Sequence, residues 1–303
     1  MTDTPHRKDE RMITWRLVVE QILNGLVSGC MYAVVASGLT LIWGTMKMLN
    51  FAHGEFYMIG GYILYFSMTV FGIPPIYGLL LAIAVTFALG LLIERVIIHP
   101  LLDKPEWEVS AFVATLGISI FFQNMAQKIW GERFKSVPYF LKGVLDIYGF
   151  RVAYQRVFIF TVTAVVMLAL WGFIKKAKFG LGLRATAQDR DAATLVGINA
   201  KRIYTMTFGM SCAMAALAAS LLAPIFLINP WMGHAALLKG FITVVLGGLG
   251  SFEGAILGGV LLGTVESLTV IFISSEWKDV VAFVMLILVL VIRPSGLFGM
   301  KEW

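Results

Sequence analysis

Long apolar runs that carry almost no charge occupy most of this chain, and they limit what it can fold into. A bilayer core of about 30 Å is crossed by roughly 20 apolar residues of α-helix. Lipid offers no hydrogen-bonding partner to the backbone, and no run shows the ten-residue alternation of a barrel strand, so each crossing segment must be a helix. The runs lie at 17–46, 56–71, 76–93, 109–127, 157–174, 203–228, 240–250, 254–273 and 280–292.

These runs predict an all-α, polytopic membrane protein with eight to ten transmembrane helices embedded in membrane lipid. The first run, 17–46, is long enough for two short or broken helices. A hydrophilic tail at 1–12 precedes it, and we treat 13–299 as a single transmembrane domain.

The charged residues indicate the orientation of the chain. Only 14% of the residues are charged, and the net charge of +6 comes from Lys and Arg in short loops, where they orient a membrane protein and do not indicate a nucleic-acid partner. The loop 175–202 carries seven Lys or Arg against two Asp, which assigns it to the cytoplasm. The segment 128–156 then lies outside, while the loop 94–108 and the carboxyl end lie inside. Basic residues in the tail favour an inside amino end, provided that 17–46 crosses twice.

The polar stretch between the fifth and sixth runs is predicted to form a helix. From Arg184 to Val196 no residue breaks a helix, and Gly197 is placed as a carboxyl-terminal stop. Small and apolar residues among the charges give this helix of about three turns a modest apolar face, which suits docking in the groove of another protein. An ordinary solvated loop helix is the alternative.

Two stretches resemble each other and indicate a weak internal repeat of broken helices. FAHGEFYMIGGYILY (51–65) and FEGAILGGVLLG (252–263) both place an aromatic residue and an acid beside a glycine at a helix start. Interrupted apolar segments in two halves of a transporter point to its pathway, and the span assignment makes these two copies parallel. The candidate pathway residues are Asn50, His53, Glu55, Gly247, Gly248, Gly250, Glu253 and Glu266.

Each of these candidates has a structural alternative. Asn50 and Glu55 are also suited to capping the helix that follows them. Glycines spaced by four residues, such as Gly25 with Gly29, favour close helix packing. Glu266, an acid inside an apolar run, needs a partner, for which Gln123 and Asn124 are candidates.

No constellation of catalytic or metal-binding residues is found in the sequence. Gly248 and Gly250 are followed by Glu253 where a dinucleotide fingerprint needs glycine, and no Walker lysine follows. The four histidines are scattered without metal-ligand spacing. We therefore expect neither an enzyme nor a cofactor-binding chain.

Five motifs, in order along residues 20–299, resemble the membrane permease of the branched-chain amino acid ABC importers, H type. They are NFAHGEFYMIGGY, IERVIIHP, LVGINAKRI, VLGGLGSFEGAILGG and EWKDVVAFVMLILVLVIRPSGLFG. The resemblance implies a fold like that of the vitamin B12 importer (type II), in the bacterial inner membrane. It also implies four kinds of partner or ligand: a second, M-type permease, two cytosolic ATPases that bind ATP and Mg²⁺, a periplasmic binding protein, and branched-chain amino acids as cargo.

On this resemblance the polar stretch is the coupling helix that contacts the ATPase. Its residues are Arg184, Ala185, Gln188, Asp189, Arg190, Asp191, Ala192, Leu195 and Gly197. Urea, short amides or other small carboxylates are alternative cargoes within the family. A transporter of a different class, driven by an ion gradient through Glu266 or His53, is the competing hypothesis.

Overall fold

A computed structural model describes residues 15–147 and 150–299, so the hydrophilic tail predicted at 1–12 lies outside the described residues. The helices are α1 (Trp15–Met46), α2 (His53–Tyr65), α3 (Pro75–Ile93), α4 (Trp107–Trp130), α5 (Tyr154–Lys176), α6 (Lys178–Gln188), α7 (Arg190–Leu195), α8 (Ala200–Leu222), α9 (Met232–Gly247), α10 (Phe252–Phe272) and α11 (Lys278–Ile292). Strands β1 (Val144–Ile147) and β2 (Phe150–Ala153) form one antiparallel hairpin between α4 and α5.

The predicted fold class is confirmed. Six helices are long and apolar enough to cross a membrane, namely α1, α3, α4, α5, α8 and α10. With the shorter helices α2, α9 and α11, the described residues contain nine apolar helices, which agrees with the predicted eight to ten.

Local signals set several helix starts. α3 begins at Pro75, where the missing N–H of proline costs no helical hydrogen bond. Asn199 and Ser251 cap α8 and α10 through side-chain oxygens that accept the backbone N–H of Arg202 and Gly254.

The first run forms one helix, so the condition attached to an inside amino end, that 17–46 crosses twice, is not met. Gly25 and Gly29 lie inside α1, where they let α10 approach closely: a Cβ atom on either would fall 2.7 Å from the α10 backbone. At the start of α1, the Ser267 hydroxyl of α10 donates to the Gln21 carbonyl oxygen, 2.7 Å away, and α1 also contacts β2. The described amino end therefore lies on the same side as the β-hairpin.

The opposite side collects the segments that were predicted to be cytoplasmic. Asp103, in the loop before α4, is paired with Lys201 at the start of α8. Near the carboxyl end, Leu297 and Phe298 donate their N–H groups to the last carbonyls of α9. We call this side the coupling face, because it contains α6 and α7.

Helices α2 and α9 each begin halfway through the protein and cross only half of it. The His53 ring, at the first residue of α2, lies 3.2 Å from the Ser211 hydroxyl at the midpoint of α8. Glu55, in the same first turn of α2, meets Ser119, near the midpoint of α4. From there α2 runs towards the hairpin side, and α9 runs towards the coupling face. Non-helical segments that are only partly buried, 47–52 and 223–231, lead into them.

The two half helices belong to an inverted internal repeat. α1 packs on α10 through glycines 25, 29, 259 and 263, and in the same way α3 packs on α8 through Gly90, Gly209 and Cys212. Helices α1–α4 thus correspond to α8–α11, with α5, α6 and α7 between the two sets.

The repeat predicted from residues 51–65 and 252–263 pairs the wrong segments. α10 is a continuous helix of 21 residues that starts at the coupling face, so it is not a half helix. The true counterpart of α2 is α9, and the two run in opposite directions. Asn50, Gly54, Gly61 and Tyr62 match Asn229, Gly233, Gly240 and Phe241 at a constant spacing of 179 residues.

Candidate functional site

The amino ends of the two half helices cross at the centre of the protein, and glycine makes the crossing possible. A Cβ atom on Gly54 would overlap the carbonyl oxygen of Gly233, and a Cβ atom on Gly233 would overlap the carbonyl oxygen of Gly54. Both helix starts place unsatisfied backbone N–H groups and partial positive charge at mid-depth. We call this crossing the half-helix junction.

Matching turns lead into the half-helix junction from both sides. The Asn50 side-chain oxygen accepts the N–H of Ala52 at 3.0 Å, and the Asn229 side-chain oxygen accepts the N–H of Trp231 at 2.9 Å. In the sequence, Asn50 was assigned both a pathway role and a capping role. Its observed hydrogen bond closes a turn before α2, and no side chain caps this helix. Asn229 was not among the residues predicted from the sequence, although its spacing to Gly233 repeats that of Asn50 to Gly54.

His53 and Glu55 are brought to the junction but face different helices. His53 is fully buried between α1 and α8, with its ring against Gly38 and Ser211. Glu55 faces α4 and accepts a hydrogen bond from the Ser119 hydroxyl at 3.1 Å. Its second carboxylate oxygen is buried and has no hydrogen-bond partner among the described residues. Such a group marks a place where a further donor fits.

An aromatic group that the sequence analysis missed lies beside the junction. Phe51 packs edge-to-face on Phe112 of α4, with ring centroids 5.0 Å apart, and lies 5.3 Å from Phe241 of α9. All three side chains are half-buried, and His234 in the first turn of α9 is exposed. The constant 179-residue spacing was the signal that would have drawn attention to this part of α9.

Glu266 is paired with residues other than those proposed from the sequence. Its carboxylate pairs with Lys239 of α9 and accepts a hydrogen bond from the Tyr32 hydroxyl of α1 at 2.8 Å. Lys239 also pairs with Asp279 of α11 at 2.7 Å. The proposed partner Asn124 instead donates to the Ile120 carbonyl of its own helix. The network therefore ties α9 to three neighbouring helices.

The remaining pathway candidates lie away from the half-helix junction, at the coupling face. Gly247, Gly248 and Gly250 form the tight turn between α9 and α10, and Gly248 and Gly250 have φ angles of 106° and 82°. Glu253 follows this turn, half-exposed, and pairs with Lys175 at the end of α5. The structure thus separates this group from Asn50, His53 and Glu55.

The predicted coupling helix is two helices, so the expectation of an unbroken helix over 184–196 is wrong. Arg184, Ala185 and Gln188 belong to α6, which begins earlier, at Lys178. Asp189 is extended and interrupts the helix because its carboxylate caps α7, accepting the N–H groups of Asp191 and Ala192 at 2.9 Å each. Arg190, Asp191, Ala192 and Leu195 belong to α7.

The predicted stop of the helix at Gly197 is confirmed. Gly197 has a φ of 87°, and its N–H donates to the Thr194 carbonyl oxygen. The two residues before it, Leu195 and Val196, are 88% and 76% exposed. They form an apolar tip that projects from the coupling face.

The loop between α3 and α4 braces the base of α7. Asp103 accepts a hydrogen bond from Lys201 at 2.6 Å and lies 3.9 Å from Arg190. The hydrogen bond from Lys201 holds the pKa of the Asp103 carboxyl below its usual value. A lowered carboxyl pKa adds stability above the unfolded-state value, so this brace is present at neutral pH and is lost as the pH falls below about 4.

Replacement of Asp189 by alanine is expected to unravel α7 without unfolding the protein. Loss of a side-chain cap costs about 1 kcal/mol, which is large for a helix of six residues. Hydrogen exchange at 190–196 should accelerate, while exchange in α8 should not change. Asp189→Asn keeps a capping oxygen and should restore protection, and Asp191→Asn is the matched control. Equal protection in Asp189→Ala and the native protein would contradict the capping role.

Comparisons with known proteins find relatives of this chain. A family model described as branched-chain amino acid transport system / permease component matches residues 21–290. The chain is 39% identical to the high-affinity branched-chain amino acid transport system permease protein BraD of Pseudomonas aeruginosa, and 37% identical to the corresponding protein LivH of Escherichia coli K12. Each alignment covers 94% of this chain and 96% of the relative.

One solved structure is also similar to the chain. It is PsaBC from Streptococcus pneumoniae in complex with Fab, at 13% identity and a TM-score of 0.44, over 93% of this chain and 92% of that one.

Proposed function

From the premise that this chain belongs to the family of branched-chain amino acid transport system permease components, we propose that it forms half of the path of an ATP-driven importer. The chain is a multi-pass protein of the inner membrane. Its partners in this proposal are a second, M-type permease, two cytosolic ATPases that bind ATP and Mg²⁺, and a periplasmic binding protein. The relatives support this, because their names describe permease proteins of a transport system.

The apolar tip of α7 is the observation that carries the proposal. Leu195 and Val196 are exposed at the end of a short capped helix within a charged segment. Exposed apolar side chains are unfavourable in water, and on a rigid helix they suit a groove in a partner protein. We assign this tip to the ATPase contact.

Motion of the ATPase would reach the half-helix junction along two routes. α7 leads directly into α8, whose Ser211 lies against His53. Arg190 and Lys201 are braced by Asp103, which lies in the loop leading to α4, and α4 carries Ser119 against Glu55. The ATPase shifts the equilibrium only if it binds α7 differently in its two states.

The chemistry beside the junction supports a small amino acid as cargo. Two helix amino ends offer partial positive charge to a carboxylate, as in transporters with broken helices. The half-buried side chains of Phe51, Phe112 and Phe241 offer apolar surface to a branched side chain. Urea, short amides and other small carboxylates remain the alternative cargoes.

Replacement of Leu195 by aspartate tests the coupling role. The side chain is 88% exposed, so the protein should stay folded, while a charge in the ATPase groove should abolish co-purification of the ATPase and leucine uptake. Leu141→Asp, at an exposed position on the hairpin side, is the matched control and should keep the ATPase bound.

Undiminished ATPase binding and leucine uptake in Leu195→Asp would overturn this assignment. Uptake by the purified chain alone, in vesicles with a proton or sodium gradient and no ATP, would favour the secondary-transporter hypothesis instead.

A further inference from the structure

A deep apolar groove lies between α1, α5 and α10, outside the half-helix junction and the coupling segment. Its volume is about 610 Å³, and its lining is almost wholly apolar. α5 packs along α1 but leans away from α10, to which it is joined by the hydrogen bond from the Trp171 indole to Glu253, 3.0 Å long. No side chain of the described residues fills the space between α5 and α10.

The groove opens to the lipid, because large apolar side chains at its lips are exposed. Phe160 and Leu168 on α5 and Leu257 on α10 form these lips. Water in such a space would find almost no hydrogen-bonding partner, so hydrocarbon is the favoured filling.

The length of the groove matches one leaflet. Phe160 and Trp171 mark its two ends along α5, and eleven residues of helix rise about 16 Å. Half of a bilayer core of about 30 Å is about 15 Å. Because α5 is centred near residue 165, the groove extends past the middle of the helix, and an acyl chain that enters beside Trp171 fills it towards Phe160.

The end of the groove at the coupling face carries the groups that anchor a lipid headgroup. Trp171 lies at this end, and Lys175 stacks over its ring with Nζ 4.2 Å from the ring centroid while it pairs with Glu253 at 3.2 Å. Lys176 and Lys178 are exposed beside it, and within the described residues no ion pair engages either of them. Tryptophan and lysine are the residues enriched at the membrane interface, and clustered lysines attract anionic lipid.

We propose that this groove binds one anionic phospholipid, with an acyl chain between α5 and α10 and its phosphate at Lys175, Lys176 and Lys178. The bound chain would brace α5, whose end leads directly into α6, against the start of α10. This site is independent of the transport function proposed above.

Native mass spectrometry of the detergent-purified full chain tests the proposal, with phosphatidylglycerol and phosphatidylcholine as probes. We expect the native protein to retain one phosphatidylglycerol about ten-fold more tightly than phosphatidylcholine. Changing all three lysines to glutamine should remove this preference. Ala164→Trp, which fills the groove, should remove retention of both lipids, whereas Val165→Trp, on the neighbouring outward position of α5, should leave retention unchanged.

Quenching by lipids with brominated acyl chains gives a second measurement. The brominated lipids should quench the tryptophan fluorescence of the native protein more than that of Trp171→Phe. In Ala164→Trp, where the groove is filled, the brominated chain should no longer reach Trp171, so the quenching of Trp171 should fall. Equal retention of the two lipids in every variant would overturn the proposal. Loss of association with a second permease chain in Ala164→Trp, with lipid retention unchanged, would identify a partner helix as the occupant and would also overturn it.

Discussion

We expect replacement of Gly54 by alanine to abolish transport. The added Cβ atom would overlap the carbonyl oxygen of Gly233, and backbone cannot move aside as a flexible side chain does. Overpacking of a close contact costs about 1–3 kcal/mol, and here it would push α2 and α9 apart at the half-helix junction. Uptake of leucine into vesicles containing the assembled importer should fall to background.

Gly117→Ala is the matched control for this substitution. Gly117 lies inside α4, and nothing stands within 4 Å of the place where its Cβ atom would go. Alanine is preferred to glycine in a helix, so this variant should be as stable as the native protein or more stable by up to about 1 kcal/mol. If Gly54→Ala transports leucine as well as Gly117→Ala does, the half helices do not need their close approach.

Replacement of Lys239 by methionine should have the largest effect on stability. The change leaves the buried carboxylate of Glu266 with the Tyr32 hydroxyl but without a countercharge. Removing one member of a buried ion pair costs about 3–5 kcal/mol. Urea titration of the protein in detergent should show this loss as a lower free energy of unfolding.

A double variant distinguishes the loss of the ion pair between Lys239 and Glu266 from a general loss of stability. Lys239→Met with Glu266→Leu removes both charges and should regain more than half of the lost stability, because an apolar pair of similar volume replaces a buried ion pair at little cost. Asp279→Asn is a second control, since this side chain is 56% exposed and should contribute about 0–1 kcal/mol. Additive losses in the double variant would show that the two residues act independently.

The transmembrane segments were predictable from the sequence because exclusion from water is a local property of each run. The positions where helices break were not predictable, since the same residue types can end a helix in one place and support an unbroken helix in another. Gly25 and Gly29 are helix breakers in water, yet in α1 they provide close packing on α10, so the helix continues. Asp189 is tolerated in helices, but its carboxylate satisfies two backbone N–H groups of α7 better from outside the helix.

The half-helix junction was predictable in part. Asn50, His53 and Glu55 were placed at a break before a helix that starts near Phe56. The break is present and contains Asn50, but α2 already begins at His53, so His53 and Glu55 lie in its first turn. The second break was assigned to 247–254, because the glycine-rich stretch there is conspicuous, whereas Asn229 and Gly233 follow an unbroken apolar run. Pairing of Lys239 with Glu266 joins residues 27 positions apart on different helices, and no local pattern predicts such a contact.

Helix α5 has a consequence for how the chain is inserted during synthesis. α1–α4 and α8–α11 have the same order of long helix, half helix and two further helices, and a single additional crossing separates them. The translocon must therefore insert α8–α11 in the opposite orientation to α1–α4. Lys175 and Lys176 end α5 and Lys178 begins α6, and these lysines supply the retention signal that fixes this inversion. In a chain that lacked α5, α1–α4 and α8–α11 would insert in the same orientation, and the half helices α2 and α9 would not meet.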